Sequence, residues 1–303
     1  ISLGMKNNIK IIKHEKPDLV IILGDRSELF SITVPCMIYN VPLLHFYGGD
    51  KTQGCTDEST RHATTMLSNY HIVSNYLSKK NLIKFGVSSN KILNAGILSL
   101  HSFKKTDLKL KNNFYEKYKI DKKKKLIISI LHSETWNSKS KRKNIKEYFK
   151  IFNKLNHNLI LIYPCGDPGY KLIIDEINKL KKRQNIKIFK NIKSEIFYNL
   201  LYFSDLIIGN SSSGILEAGY FNTKTINVGN RQKNRYSKNV ENVNFNSNKI
   251  LKKIKHLLSS KKNSLKKFNK KHVYIKENGL NNAEKFIKNI LKKQNHNQIL
   301  KLF

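Results

Sequence analysis

Short apolar runs alternate with longer amphipathic stretches along most of the chain. The first clear run is DLVIILG at 18–24, and residues 27–39 after it have a helical pattern in spite of Pro35. Further runs of the same kind lie at 41–45, 71–74 and 92–95. Unbroken β-branched runs separated by helices are typical of a parallel sheet covered on both faces. The pattern predicts one Rossmann-like half in this part of the chain.

A second series of runs begins after a lysine-rich segment at 102–125, which we expect to join two domains. Strands are predicted at 126–131, 159–163, 186–189, 206–209 and 225–228, with helices at 144–155, 170–180, 194–203 and 214–220. The length of 303 residues also exceeds the usual size of about 100–200 residues per domain. The predicted fold class is α/β, with Rossmann-like domains at 1–105 and 106–303, the second ending in a basic helical tail.

The first predicted domain has fewer strand–helix alternations than the second. It opens with a helical stretch at 1–14 rather than with a strand. A complete half would need one or two more βα units, on the order of 60 residues. We therefore expect this domain to be truncated at its N-terminus, and the chain alone to be inactive or nearly so.

The chain is strongly basic, with 57 Lys and Arg against 21 Asp and Glu and a formal net charge of +36. Such a charge attracts polyanions, so a nucleic-acid-binding protein is one hypothesis. However, only 6 of the 57 basic residues are arginine, the residue preferred for bidentate phosphate and guanine contacts. We therefore interpret the lysines as solvated surface and predict no nucleic-acid partner.

Membrane and redox signals are absent from the sequence. No apolar run approaches the ~20 residues that a spanning helix needs, and the start does not have the pattern of a signal peptide. The cysteines, Cys36, Cys55 and Cys165, are odd in number and form no C-x-x-C pair. These features predict a cytoplasmic protein with no membrane partner, no metal and no cofactor.

Two polar clusters follow strands of the first domain, where ligands of doubly wound sheets bind. Asp25 and Arg26 come directly after the first strand, and Asp57 and Glu58 open a later helix, each one turn before a basic residue. Removing and returning a proton requires two groups of this type, one as base and one as acid. A helix cap and ordinary surface ion pairs are the alternative interpretations.

The second domain contains a sequence typical of phosphate binding. GNSSSGILE at 209–217 follows a strand and opens a helix, so small residues and serine hydroxyls can approach a diphosphate. Glu217 is placed to accept hydrogen bonds from ribose hydroxyls, and the loop 229–235 supplies cations after the next strand. His132 ends the first strand of this domain. A helix cap, a polar loop and a structural histidine are the alternatives.

Taken together, these motifs resemble the UDP-N-acetylglucosamine 2-epimerase family, specifically its hydrolysing branch. The similarity extends from about residue 17 to 235. It rests on LGDR at 23–26, H-x-x-GGD at 45–50, D-E-x-x-RH at 57–62, GNSSSGI-x-E at 209–217 and G-x-RQK-x-R at 229–235. The resemblance implies a GT-B arrangement of two Rossmann-like domains and a UDP-sugar substrate.

In the reaction that the resemblance implies, the C2 proton is removed while UDP leaves C1, and water then adds to a 2-acetamidoglucal with inversion at C2. The released N-acetylmannosamine would feed sialic acid synthesis. The implied catalytic residues are Asp25, Asp57, Glu58 and His132. The implied substrate-binding residues are Arg26, Ser211, Ser212, Glu217 and Arg231. We also expect a homo-oligomer, either a dimer or a tetramer.

Three positions depart from the family pattern. Tyr47 stands where an acidic residue or a histidine is usual, Cys165 replaces an asparagine, and Ser133 replaces a proline. The motifs do not define the sugar substituents at C4 and C6, so a related UDP-diamino sugar is an alternative substrate. A non-hydrolysing 2-epimerase and a GT-B glycosyltransferase are the alternative enzymes.

Overall fold

The computed structural model describes residues 1–52, 57–103, 108–134, 140–259 and 269–294. These residues form two compact units. The first unit takes its described residues from 1–51, 57–101 and 273–294, and the second takes most of its residues from 102–272.

The first unit is built on a four-stranded parallel sheet in the order β1-β2-β3-β4. Its strands are β1 (Val20–Leu23), β2 (Leu43–Phe46), β3 (Tyr70–Val73) and β4 (Ile92–Asn94). The helices that precede and connect them are α1 (Ser2–Glu15), α2 (Phe30–Ile38), α3 (Asp57–Met66) and α4 (Tyr76–Lys84). The strands are spatial neighbours in sequence order, so their carboxyl ends and the loops that follow lie along one edge.

The last helix of the described chain, α11 (Gly279–Gln294), packs on this first sheet. Ala283 and Ile290 are buried with Leu44 and Ile72 in one apolar cluster. The apolar residues of α11 recur every three or four positions, which gives the helix one apolar face, and a parallel sheet needs cover on both faces. We predicted that the whole basic tail belongs to the domain at 106–303. In the structure, α11 of this tail packs on the sheet of the first unit instead.

The second unit contains a six-stranded parallel sheet in the order β10-β9-β8-β5-β6-β7. Its strands are β5 (Leu126–Ile130), β6 (Asn158–Ile162), β7 (Ile186–Phe189), β8 (Leu206–Gly209), β9 (Lys224–Val228) and β10 (Val240–Val243). Its helices are α5 (Leu108–Lys117), α6 (Lys141–Lys150), α7 (Tyr170–Lys179), α8 (Ser194–Phe203), α9 (Ser213–Leu216) and α10 (Ser247–Leu258). This is the Rossmann strand order, which reverses between β5 and β8 and opens a crevice there.

Burial of the central strands explains why they read as continuous apolar runs. Every residue of β5 and of β8 is buried, including Ser129 of β5. The Ser129 hydroxyl is satisfied by Tyr148 of α6 at 2.7 Å, and the Tyr148 hydroxyl also donates to the Ile208 carbonyl at 3.1 Å. A buried hydroxyl without a partner would cost about 1–3 kcal/mol, so this pairing makes the polar residue tolerable in the core.

The predicted fold class is confirmed: the chain is α/β, with two parallel sheets of Rossmann type. Two local predictions differ from the structure. The helix predicted at 214–220 is reduced to the single turn α9, and turns replace the rest, with Asn222 in the left-handed region at φ 52°. The edge strand β10 was not predicted because its sequence, VENV, contains no apolar run. Within the described residues, no helix is long and apolar enough to cross a membrane.

Candidate functional site

The first polar cluster lies at the carboxyl end of β1 and centres on an ion pair between Asp25 and Arg61. The Arg61 side chain comes from α3, is 1% exposed, and donates from Nη2 to Asp25 Oδ2. Its Nη1 donates to the Asp50 carbonyl at 2.9 Å. The adjacent Arg26 instead pairs with Glu28 at the surface, 3.2 Å away. The buried cation beside Asp25 is therefore Arg61, which we had not predicted as a site residue.

Asp50 forms the floor of the same cluster. Its side chain is buried, and Oδ1 accepts hydrogen bonds from Ser74 at 3.4 Å, Asn75 at 3.5 Å and the Ser78 hydroxyl. Three donors from one short stretch compensate for burying the carboxylate. Asp50 therefore orients its own carbonyl towards Arg61 and fixes the loop that follows β2.

His45, on β2, connects the ends of β1 and α3. Its Nε2 lies 2.7 Å from the Gly24 carbonyl, and its Nδ1 lies 3.2 Å from the Thr65 hydroxyl. Burial lowers the pKa of His45 to about 4, so the ring is neutral at pH 7. A neutral ring that donates from Nε2 can accept from Thr65 at Nδ1, which satisfies both nitrogens. His45 therefore holds the Gly24–Asp25 turn in place.

Helix α3 also carries the two predicted acid–base residues, Asp57 and Glu58, at its first turn. Glu58 Oε1 pairs with Nε2 of His62 at 3.4 Å, and both side chains are 27% exposed. Burial lowers the pKa of His62, which opposes the effect of the carboxylate. Asp57 lies one helical turn before Arg61, so the helix that supplies the buried cation also presents Asp57 and Glu58.

Tyr47 has a conformation that its residue type rarely adopts. Its φ is 65°, and its hydroxyl accepts a hydrogen bond from the Leu98 amide at 3.1 Å. A bulky residue in the left-handed region needs such tertiary support. The fold therefore accommodates tyrosine at this position, and the Tyr47 hydroxyl holds the backbone at Leu98.

In the second unit, Asn210 joins the two strands that flank the crevice. The Asn210 amide donates to the His132 carbonyl at 2.9 Å, and its oxygen accepts from the His132 amide at 2.6 Å. This side chain is fully buried, and its own carbonyl accepts from Gln232 at 3.0 Å. Asn210 therefore closes the bottom of the crevice and sets the position of His132.

The serine loop above Asn210 leads directly into α9. Ser211 and Ser213 place their hydroxyl oxygens 2.9 Å apart, and the Ser212 carbonyl begins the helical turn by accepting from Leu216 at 2.8 Å. Ser211 and Ser212 are partly exposed. Hydroxyls and backbone amides thus converge on the carboxyl edge of β8, the arrangement that a diphosphate requires.

Glu217 follows α9, and its side chain is partly buried. The Tyr198 hydroxyl donates to Glu217 Oε1 at 3.3 Å. Burial raises the pKa of Glu217 to about 7, an effect only partly opposed by Tyr198. A carboxyl group in this state still accepts hydrogen bonds, so it can bind the paired hydroxyls of a ribose.

His132 belongs to a polar chain that runs through Cys165 and Asp167 to Arg231, and only Asp167 and Arg231 in this chain are buried. Nδ1 of His132 lies 3.1 Å from the Cys165 sulfur, and that sulfur lies 3.1 Å from Asp167 Oδ2. Arg231 donates to the same carboxylate oxygen at 3.3 Å. Burial and the Arg231 charge lower the pKa of His132 to about 4, whereas burial and Asp167 raise that of Cys165 to about 11. At pH 7 the imidazole is neutral and the sulfur carries its proton.

Glu134 engages the loop after β9, which carries Arg231. Its Oε1 accepts from the backbone amides of Asn230 at 2.6 Å and Arg231 at 3.1 Å. Gly229 passes over this carboxylate with φ 83°, and a β-carbon there would lie 2.4 Å from the same oxygen. A carboxylate bound to two successive amides fixes the loop, so Glu134 supports the position of Arg231.

The structure brings the sequence-predicted residues together in two groups. Asp25, Asp57 and Glu58 share the first unit, and Arg26 lies beside them with its side chain turned to the surface. His132, Ser211, Ser212, Glu217 and Arg231 share the second. The supporting residues that sequence reasoning missed are Asp50, Arg61, Glu134, Asp167 and Asn210. Each missed residue acts on a partner distant along the chain, although Asp50, Arg61 and Asn210 were already part of the quoted motifs.

Buried neutral histidines predict marked acid sensitivity. The pKa values of His45, His132 and His272 are lowered to about 4 and that of His71 to about 3, mainly by burial. Below pH 6.5 these histidines bind protons in the unfolded chain but stay neutral in the folded one. The free energy of unfolding is therefore at its full value above pH 6.5 and falls as the pH approaches 4. Each ring contributes a slope of about 1.4 kcal/mol per pH unit in that window.

The corresponding experiment measures the free energy of unfolding by urea at several pH values between 7 and 5. His71→Leu is the informative variant because neither His71 ring nitrogen has a hydrogen-bond partner among the described residues. We expect it to reduce the slope by about 1.4 kcal/mol per pH unit. An unchanged slope would contradict the assignment of a neutral buried ring.

The chain is similar to known proteins over most of its length. The sequence profile described as UDP-N-acetylglucosamine 2-epimerase matches residues 1–292. A GDP/UDP-N,N'-diacetylbacillosamine 2-epimerase (hydrolyzing) from Campylobacter jejuni is 34% identical over 223 residues, which are 73% of this chain and 58% of that protein. The polysialic acid biosynthesis protein P7 of Escherichia coli is 32% identical over 92% of this chain and 71% of its own length.

Solved structures agree on the fold. A UDP-GlcNAc 2-epimerase from Methanocaldococcus jannaschii, solved with UDP-GlcNAc and UDP, has a TM-score of 0.74 at 19% identity, covering 94% of this chain and 80% of its own. The Neisseria meningitidis enzyme bound to UDP-GlcNAc has a TM-score of 0.72 at 19% identity, covering 96% and 80%. The chain spans 58% of the length of the Campylobacter relative.

Proposed function

Because this chain belongs to the UDP-N-acetylglucosamine 2-epimerase family, we propose that it acts in the hydrolysing 2-epimerase reaction. The substrate is a UDP-sugar with a 2-acetamido group, and the products are the free 2-epimeric sugar and UDP. The observation that carries the proposal is the crevice between β5 and β8, where Asn210 holds His132 beside the serine loop. That crevice is where Rossmann-type sheets bind nucleotides.

The UDP half of the substrate is assigned to the second unit. Ser211 and Ser212 supply hydroxyls and amides to the diphosphate, and Arg231 supplies the cation that stabilises it as it leaves C1. Glu217 accepts from the ribose hydroxyls. Support comes from their common position at the carboxyl edge of the sheet, and from the Glu134 contacts that hold the Arg231 backbone.

The C2 chemistry is assigned to the carboxylates of the first unit, and His132 of the second unit is proposed as a further catalytic residue, as the family resemblance implies. Asp25 is held by Arg61, and Asp57 and Glu58 lie on the helix that carries this arginine. One carboxylate removes the C2 proton as the C1–O bond breaks, which gives the glucal, and a second group assists the addition of water at C1 and the return of a proton to C2. Arg26 is assigned to the sugar or phosphate groups.

The sugar identity is proposed as a class rather than as one compound. UDP-N-acetylglucosamine and UDP-sugars with a second acetamido group both fit the family, and the Campylobacter relative is named for N,N'-diacetylbacillosamine. We further propose that the protein works in the cytoplasm as a homo-oligomer, within sialic or related nonulosonic acid synthesis. The relative named for polysialic acid biosynthesis supports that setting.

The decisive experiment incubates the protein that contains this chain with UDP-N-acetylglucosamine in deuterated water. We expect released UDP and a free 2-epimeric sugar that carries deuterium at C2. Asp25→Asn should lower the rate by about 10²-fold or more because proton transfer loses its carboxylate. Asp18→Asn, at an exposed carboxylate before β1, is the matched control and should retain the rate.

Each alternative enzyme gives a different result in the same assay. Deuterium at C2 of a sugar that remains attached to UDP indicates a non-hydrolysing epimerase. Transfer of the sugar to an acceptor without C2 exchange indicates a glycosyltransferase and overturns the proposal. Failure of the purified chain to bind UDP would remove the assignment of the serine loop.

A further inference from the structure

Three side chains of different chemistry converge at the carboxyl ends of β5 and β6. His132 Nδ1, Cys165 Sγ and a carboxylate oxygen of Asp167 all lie within 4.8 Å of one another. The sulfur is central to the group, at 3.1 Å from both the imidazole nitrogen and Asp167 Oδ2. His132 and Cys165 are partly exposed, so a solute can reach them, while Asp167 lies beneath.

The distances from the sulfur to its two neighbours are close to those around a single small cation. A tetrahedral zinc site has Zn–S of about 2.3 Å and Zn–N of about 2.0–2.1 Å, which places sulfur and nitrogen about 3.5 Å apart. The observed separation of 3.1 Å therefore needs an opening of only a few tenths of an ångström. Thiolate with imidazole is also the ligand pair that selects zinc-like metals over magnesium or calcium.

We propose that His132, Cys165 and Asp167 form a binding site for a thiophilic divalent cation of the zinc class. The cation takes Nδ1, Sγ and one carboxylate oxygen, with water in the fourth position. On binding, the thiol proton passes to solvent and the sulfur–metal bond forms, without change of oxidation state. The proposal concerns binding alone and stands independently of the epimerase reaction.

Two neighbouring groups oppose the cation and make its affinity moderate. Arg231 donates to Asp167 Oδ2 at 3.3 Å, so its positive charge lies beside the site. The Cys165 amide donates to His132 Nδ1 at 3.2 Å and competes for the same lone pair. A bound cation occupies the nitrogen of His132 and draws Asp167 from Arg231. It is therefore an inhibitor of any reaction that uses these two residues.

The sequence alone predicted no metal here. His132 and Cys165 are separated by 33 residues, and no short C-x-x-C or H-x-x-x-H spacing signals the site. The ligands meet because β5 and β6 are adjacent parallel strands whose carboxyl ends lie side by side. Cys165 also stands where the family resemblance led us to expect asparagine, so this chain carries a thiolate ligand that the expected residue does not provide.

The test measures metal binding by the purified, tag-free chain, with zinc competed against a chromophoric chelator and with cobalt(II) as a spectroscopic probe. We expect one equivalent of zinc, bound with moderate affinity, and a sulfur-to-cobalt charge-transfer band. Cys165→Asn should abolish the band and weaken zinc binding by about 100-fold or more, because loss of a ligand costs at least as much as loss of a residue that orients one. Cys36→Ala, at a fully buried cysteine of the first unit, is the matched control and should change neither.

The remaining outcomes separate this site from weak surface binding. Magnesium at the same concentration should not compete, since thiolate and imidazole do not suit it. Asp167→Asn should weaken zinc binding while the cobalt–sulfur band remains. Zinc binding that persists in Cys165→Asn, or the absence of a cobalt–sulfur band in the parent chain, overturns the proposal. Unfolding curves of each variant show whether a loss of binding reflects a loss of fold.

Discussion

Replacing Gly209 with alanine is expected to destabilise the chain by about 4 kcal/mol or more, which is exceptional for a single methyl group. Gly209 ends β8 with φ 135°, and a β-carbon there would lie 1.9 Å from the Ile130 carbonyl oxygen. That oxygen belongs to the neighbouring strand β5 and accepts from the Asn210 amide at 3.1 Å. Relief of the clash must therefore separate the two strands that form the crevice.

Gly86→Ala provides the matched control for backbone strain alone. Gly86 also has positive φ, at 92°, but nothing lies within 4 Å of a β-carbon built there. It should cost about 1–2 kcal/mol from the left-handed conformation. Urea unfolding of both variants isolates the clash as the difference. Equal losses would show that strands β5 and β8 separate easily, and would remove the basis for a rigid crevice.

Loss of the Arg61 guanidinium is expected to be the second large effect. Arg61→Met should lower the free energy of unfolding by about 2–4 kcal/mol, because the Asp25 carboxylate and the Asp50 carbonyl lose a buried donor. The lower end allows for the 29% exposure of the Asp25 side chain, which water can partly solvate. The same variant should abolish C2 exchange, since Asp25 is no longer held.

A double-mutant cycle separates the ion pair from the packing of the arginine stem. Asp25→Asn combined with Arg61→Met should cost less than the sum of the single variants, with a coupling of about 1 kcal/mol or more. Arg26→Met is the comparison for stability, because Arg26 pairs with Glu28 at the surface, where ion pairs contribute about 0–1 kcal/mol. Additive losses at Asp25 and Arg61 would contradict the ion pair.

Most of the fold follows from the periodicity of the chain. Strands β5, β6 and β8 are buried along nearly their whole length, so each reads as an apolar run that can be predicted from the sequence. Strand β10 could not be predicted in this way because an edge strand does not need a continuous apolar run. Helix α11 was assigned to the second domain because chain order is all that a sequence offers, whereas its apolar face packs on β2 and β3.

The residues of the candidate site can be divided in the same way, into those that the sequence indicated and those that it did not. Motifs at strand ends indicated Asp25, the serine loop and His132, since loops at the carboxyl edge of a parallel sheet bind ligands wherever that fold occurs. The partner of Asp25 could not be read in the same way. Arg26 adjoins it in sequence, but the turn after β1 directs that side chain to Glu28 and leaves Asp25 to Arg61.

The sequence by itself determined the α/β class, the positions of the central strands and the polar segments that follow them. These depend on local hydrophobicity and turn chemistry, which act over a few neighbouring residues. Only the tertiary structure decided which side chains meet: Arg61 with Asp25, Asn210 with His132, and Cys165 with His132. Strand order sets those contacts, because parallel pairing brings together residues that are far apart along the chain.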